Sequence, residues 1–138
     1  MVGILIITHG TLGESLIHCV THVLNKRPTR VRQIGITAHD DPALLIAHAR
    51  ETIRQLDDGS GVLVLSDIYG ATPCNVVSRL LIPGRVEGVA GVNVPMLIRA
   101  LTYRDQPLAE AAMKAVSGGC EGVLRIPSLA VKNAATGG

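Results

Sequence analysis

The sequence predicts an α/β domain, with four parallel strands in one open sheet and helices on both faces. Two observations carry that expectation. Apolar runs of strand length, Ile4-Leu5-Ile6-Ile7 and Val62-Leu63-Val64-Leu65, have the pattern of strands covered on both sides. Segments of helical periodicity separate the strand candidates, which recur at roughly 30-residue intervals, the rhythm of βα units.

With 138 residues the chain is one domain by length. A chain of this size buries about two-thirds of its unfolded surface, enough for a self-sufficient core. Hydrophobic residues make up 47%, yet Tyr69 and Tyr103 are the only aromatics, so the core is aliphatic. A net charge of +2 is too small to imply a polyanionic partner. Without aromatic platforms, nucleic-acid binding is not expected. Cys19, Cys74 and Cys120 are widely spaced and odd in number, forming neither a disulfide framework nor a zinc pattern. The apolar run from Gly3 to Ile7 is too short for a membrane span or a signal-peptide core. No membrane insertion and a cytoplasmic location are expected.

The first strand ends in His9-Gly10, and Thr11-Leu12-Gly13-Glu14 fits a capping box that starts a helix. Leu16, Ile17, Val20, Val23 and Leu24 form its inward stripe, and Lys26-Arg27-Pro28 ends it. Val31 to Ile36 alternates with period two, as an edge strand does. Asp41-Pro42 opens a second helix running to about Leu56, with Leu45, Ala49, Ile53 and Leu56 inward. After the turn at Asp57 to Gly61, the strand Val62 to Leu65 runs into Ser66-Asp67. Thr72-Pro73 opens a helix to about Leu81, with Thr72 as its cap. A fourth strand is expected near Val86 to Val92, and Asn93-Val94-Pro95 starts a helix to about Tyr103, with Asn93 as a cap. Pro107 to Val116 is a further helix, closed by Gly118-Gly119. Cys120 to Ile126 is a last strand, and the link before it is too short for a crossover helix. That strand is therefore expected to pair antiparallel at an edge, in its own sheet or in a partner's. The domain spans residues 1–126, and residues 127–138 form a loose tail.

All strands of a parallel sheet end on one side, which gathers His9, Asp67 and Asn93 at one edge. If the first and third strands are neighbours, their helices leave on opposite faces and a crevice opens between His9 and Asp67. A carboxylate that holds the Nδ1–H of an imidazole presents Nε2 as an oriented lone pair. Helix starts at Thr11 and at Thr72-Pro73 lie beside the pair, and free N–H groups there favour anions. Gly10, Thr11 and Thr72 are thus the candidate phosphate-binding residues. An oriented nucleophilic nitrogen beside an anion site is what phosphoryl transfer through a histidine requires.

His9-Gly10, Ser66-Asp67-Ile68-Tyr69-Gly70-Ala71-Thr72-Pro73-Cys74-Asn75 and Gly91-Val92-Asn93-Val94-Pro95-Met96-Leu97 together resemble the IIA component of the mannose family of the bacterial phosphoenolpyruvate:sugar phosphotransferase system. The resemblance runs through residues 1 to about 126. It implies a phosphocarrier without a cofactor or metal, in which the histidine corresponding to His9 takes phosphate from phospho-HPr on Nε2 and passes it to a IIB component. The family's aspartate corresponds to Asp67 and its Ser or Thr before proline to Thr72. Its fold has a four-stranded parallel core and an antiparallel C-terminal strand exchanged within a homodimer. Two features depart from the pattern. Some members continue into a IIB domain, and many have an aromatic residue where Cys74 stands.

Other readings attach to particular residues. His18 and His22 have the i,i+4 spacing of metal ligands, but they fall opposite the inward stripe, on a solvated face. His39, beside Asp40 and Asp41, also follows a strand and could line the crevice. A metal-dependent hydrolase using His9, His39, Asp40 and Asp67 is one alternative, and a small-ligand sensor is another. A carrier serving dihydroxyacetone kinases is a third. Cys74, at a helix start, is read as a small apolar residue rather than a nucleophile.

Overall fold

Four parallel strands, β1 (Gly3–His9), β2 (Val31–Ile36), β3 (Val62–Ser66) and β4 (Val86–Val89), lie in the order β2-β1-β3-β4 in a computed structural model that describes residues 1–129. Between and after them come α1 (Leu12–Leu24), α2 (Pro42–Leu56), α3 (Thr72–Ser78), α4 (Val94–Thr102) and α5 (Leu108–Glu121). The α/β class and the four-stranded parallel sheet are therefore as the sequence predicts.

The central pair β1 and β3 is buried along its length up to Thr8 and Ser66. Alternate side chains divide the core into two layers. Ile4, Ile6, Leu63 and Leu65 pack with Leu16, Ile17 and Val20 of α1 and with residues of α4 and α5. Leu5, Ile7, Val62 and Val64 pack with Ala49, Ile53 and Leu56 of α2 and with Val76 and Val77 of α3. The helix after β1 and the helix after β3 thus cover opposite faces. As an edge strand, β2 buries Val31, Ile34 and Ile36 and leaves Arg32 exposed.

Several local expectations are corrected. Val23 and Leu24 are exposed, because α1 stops at a left-handed Asn25 (φ 57°) and, among the described residues, nothing covers its last turn. Thr11 makes no side-chain cap, so the capping box is not formed. The hydroxyl of Thr8, still on β1, accepts from Gly13 N–H at 3.0 Å instead. Ala71, not Thr72, precedes α3, and the helix ends at Ser78 in a tighter turn. β4 stops at Val89, while Gly91 and Val92 donate to the carbonyls of Asp67 and Ser66 at 2.7 and 2.9 Å.

The largest correction concerns the chain after Val116. Gly118 and Gly119 do not close a helix; they lie inside α5, buried where it crosses α4. A Cβ on Gly118 would overlap Arg99 Cβ, and one on Gly122 would overlap Pro95 Cβ. The missing side chains serve close helix packing rather than a stop. Cys120 is consequently helical, and residues 123–128 form no strand within this chain. The antiparallel C-terminal strand is not present in the single subunit. Most of the expected loose tail, residues 130–138, lies outside the described residues. Among the described residues no helix is long and apolar enough to cross a membrane.

Candidate functional site

His9 is the last residue of β1, a central strand buried from Gly3 to Thr8, so a rigid backbone carries it to the edge of the sheet. Gly10 follows at φ +50°, a conformation that L side chains rarely adopt, and turns the chain towards α1. Its N–H donates to Ile36 O at 3.0 Å. Gly35 on β2 completes the close approach, since a Cβ there would collide with Gly10 O.

Because β1 and β3 are neighbours, His9 meets Asp67 one residue past the end of β3. His9 Nδ1 lies 2.8 Å from Asp67 Oδ2, and the His9 backbone N–H donates to the same oxygen at 3.0 Å. Ile68 N–H donates to Oδ1 at 2.9 Å. Burial alone would raise the Asp67 pKa, but the hydrogen bonds from His9 N–H, the His9 ring and Ile68 N–H outweigh it. Its carboxyl is held below the usual carboxylate range. An ionised Asp67 can only accept, so the proton of the pair belongs on Nδ1. Nε2 is then the basic nitrogen, and among the described residues it has no hydrogen-bond partner. The Asp67 side chain is 10% exposed and that of His9 51%, so the pair is buried at its root and open at the reactive end.

An open cavity of about 410 Å³ lies beside the ring, lined by His9, Thr37, Asp40, Leu45, Thr72 and Val76, among others. Thr72 therefore shares a wall with His9. Asp40 also lines it, with Oδ2 taken by the Thr37 N–H at 2.6 Å. At α1, the side chain of Thr8 serves Gly13 N–H, while the backbone N–H groups of Thr11, Leu12 and Glu14 meet no acceptor among the described residues. Gly10 and Thr11 are both exposed. At only seven residues, α3 has a weak dipole.

Asn93 caps α4, accepting from Met96 N–H at 2.9 Å and donating to Gly119 O at 3.2 Å. His39 is exposed and absent from the cavity wall, whereas Asp40 beside it is present. His18 and His22 are exposed on α1. Among the described residues no three His, Cys, Asp or Glu side chains converge to hold a metal ion. Sequence reasoning missed Thr8 as the cap of α1 and Thr37 as the partner of Asp40. An S/T-x-x-E pattern at Thr11 drew the cap three residues too late.

The family model described as "PTS system fructose IIA component" matches residues 3–117, which include both strand ends and Thr72. The chain belongs to this family, the mannose-type EIIA proteins. It is 33% identical over 137 residues to the "PTS system mannose-specific EIIAB component" of Escherichia coli K12, and equally to that of Shigella flexneri. These alignments cover 97% of the chain and 42% of each relative, so the chain spans less than half the length of the curated relatives it matches. Among solved structures, the phosphotransferase system EIIA of Streptococcus agalactiae superposes with TM-score 0.80 at 22% identity, covering 91% of this chain and 97% of that one. The mannose/sorbose-specific IIA subunit of Enterococcus faecalis does so with TM-score 0.80 at 23% identity, covering 93% and 98%. At these identities the structures establish the EIIA fold. The match to the EIIA family model ends at Ser117, within α5 and before the segment whose strand is missing here.

Proposed function

We propose that this EIIA chain is a cytoplasmic phosphocarrier that accepts phosphate from phospho-HPr on Nε2 of His9 and passes it to a IIB component. The outcome would be sugar uptake or its regulation, and residues 1–126 would form the working domain. The observation that carries the reading is the 2.8 Å contact between His9 Nδ1 and Asp67, which leaves Nε2 as the unpartnered nitrogen.

The Nε2 lone pair attacks phosphorus as the bond from phosphorus to the donor's histidine nitrogen breaks. That nitrogen recovers its electron pair. The proton on Nδ1 stays in the hydrogen bond to Asp67, whose negative charge balances the ring as it becomes cationic. The same steps in reverse order deliver phosphate to the acceptor. Both bonds exchanged are phosphorus to imidazole nitrogen, so the transfer is nearly balanced in energy and reversible. The unfilled N–H groups of Thr11 and its successors at α1 can receive phosphate oxygens, as can the Thr72 hydroxyl.

Incubation with phosphoenolpyruvate, enzyme I and HPr should label the wild-type chain once, with an acid-labile, base-stable phosphoramidate. His9→Ala should take no label. Undiminished label in that variant, or label mapping to His39, would overturn the assignment.

A further inference from the structure

We propose that the groove between α2 and the connection from α3 to β4 docks an acidic, partly apolar segment of a partner protein. The groove has a volume of about 640 Å³ and is rimmed by Arg50, Arg54, Arg79 and Arg85. Its floor is aliphatic, made by Ile53, Leu80, Ile82 and Val86. Past Arg50 and Arg79 it continues into a cleft of about 510 Å³ that reaches Pro42, a residue that also borders the His9 cavity. Lining residues thus occur along the whole of α2, whose 15 residues span about 22 Å.

Two of the four arginines are already engaged. Arg54 pairs with Glu51, and Arg85 lies 3.2 Å from Asp57 Oδ2. Arg50 reaches only the Arg79 carbonyl, at 3.4 Å, and the Arg79 guanidinium has no partner among the described residues. Asp57 in the groove is taken by Arg85 and Asp41 lines the adjoining cleft, so the exposed guanidinium groups of Arg50 and Arg79 flank the apolar trough without an ion pair among the described residues. A guanidinium fork matches a carboxylate in two parallel hydrogen bonds, and the trough beneath accepts aliphatic side chains.

The shape selects a chain segment over a small molecule, because a small ligand needs a site that encloses most of its surface. A nucleic acid would lack stacking partners, since no aromatic residue lines the groove. The chain's own residues after Glu121 have the wrong charge, with Arg125 and Lys132 and no acidic side chain. A second copy placed groove to groove would set arginine against arginine. The remaining occupant is a heterologous segment with carboxylates beside aliphatic residues. This inference does not depend on phosphoryl transfer at His9.

The test is fluorescence anisotropy with a labelled peptide repeating Glu-Glu-Leu-Leu, titrated with the intact chain. Saturable binding is expected, weakened by about tenfold or more in Arg50→Glu/Arg79→Glu. It should be unchanged in Arg27→Glu, which alters an exposed arginine before β2. Replacing Leu by Ser in the peptide should also weaken it. Should the double reversal fail to fold by circular dichroism, Arg50→Gln/Arg79→Gln supplies the same comparison and should also weaken binding. No binding by the wild type, or binding indifferent to the arginine substitutions, would overturn the proposal. Equal binding of the Ser peptide or of oligouridylate would overturn it too, by showing a site for polyanions in general.

Discussion

Two hydrogen bonds run from His9 to a single oxygen of Asp67, one from the ring and one from the backbone. The backbone bond persists whatever the ring does, so Asp67 is positioned by the strand end before it orients the imidazole. Asp67→Asn should therefore fold normally and slow phosphoryl transfer from phospho-HPr. The expected loss is about 10- to 100-fold, the scale on which an imidazole suffers when its orienting carboxylate is removed. An amide can present its NH2 to Nδ1 and stabilise the wrong tautomer. A rate within a factor of two of wild type would remove Asp67 from the mechanism. The same residue gives a signed pH dependence. Its pKa is depressed in the fold, so its contribution to stability is present above the unfolded value near 3.8. That contribution is lost as pH falls through the lower folded value. Denaturant melts of wild type and Asp67→Asn should thus converge in acid, and a gap independent of pH would contradict the linkage.

At the scale of elements, the α4–α5 crossing depends on glycines that a sequence reading takes for a terminator. Within an exposed helix, Gly118→Ala would stabilise by about 1 kcal/mol. Here the new methyl overlaps Arg99 Cβ and meets Arg99 Cγ at 2.8 Å and the Pro95 carbonyl at 3.2 Å. Backbone and Cβ atoms cannot step aside as a side-chain tip can, so overpacking decides the sign. A net loss of about 1–3 kcal/mol is expected in a urea melt. Stability equal to or above wild type would show that the helices can separate at little cost. Asn93 belongs to the same crossing, because it caps α4 and donates to Gly119 of α5. Asn93 lies beyond the end of β4 at Val89, its role is structural, and it is absent from the wall of the His9 cavity.

For the whole molecule, residues 123–129 leave α5 with Val123, Leu124, Ile126 and Leu129 largely exposed. β4 meanwhile is an edge strand whose outer side is paired, among the described residues, at Val86 by Ile82 and unpaired beyond it. We propose that the chain is a homodimer in which this segment, rather than one beginning at Cys120, completes the partner's sheet. Light scattering should give twice the monomer mass, and truncation after Gly122 should lead to dissociation or aggregation. A well-behaved monomer of the intact chain would sink the proposal.

The order of strands and helices as far as α5, the buried face of α2, and the two ionisable residues at strand ends were all legible in the sequence. Each depends on a local pattern: apolar runs without polar interruption, 3.6-residue periodicity, or Asp and Asn before proline. The resemblance of three short motifs was enough to expect the mannose-type EIIA family. Patterns of that kind do not encode which strands are neighbours, and the meeting of His9 and Asp67 follows from the β2-β1-β3-β4 order. Local signals misled where tertiary contacts overrode them. Thr8 reached α1 from the preceding strand and left Thr11 without a capping role. Gly118 and Gly119 stayed helical because α4 packs too closely for any side chain at Gly118. The arginine-rimmed groove was invisible for the same reason. Arg50 and Arg54 lie on α2 and Arg79 and Arg85 in the connection from α3 to β4, and only the tertiary fold brings their charges to one trough.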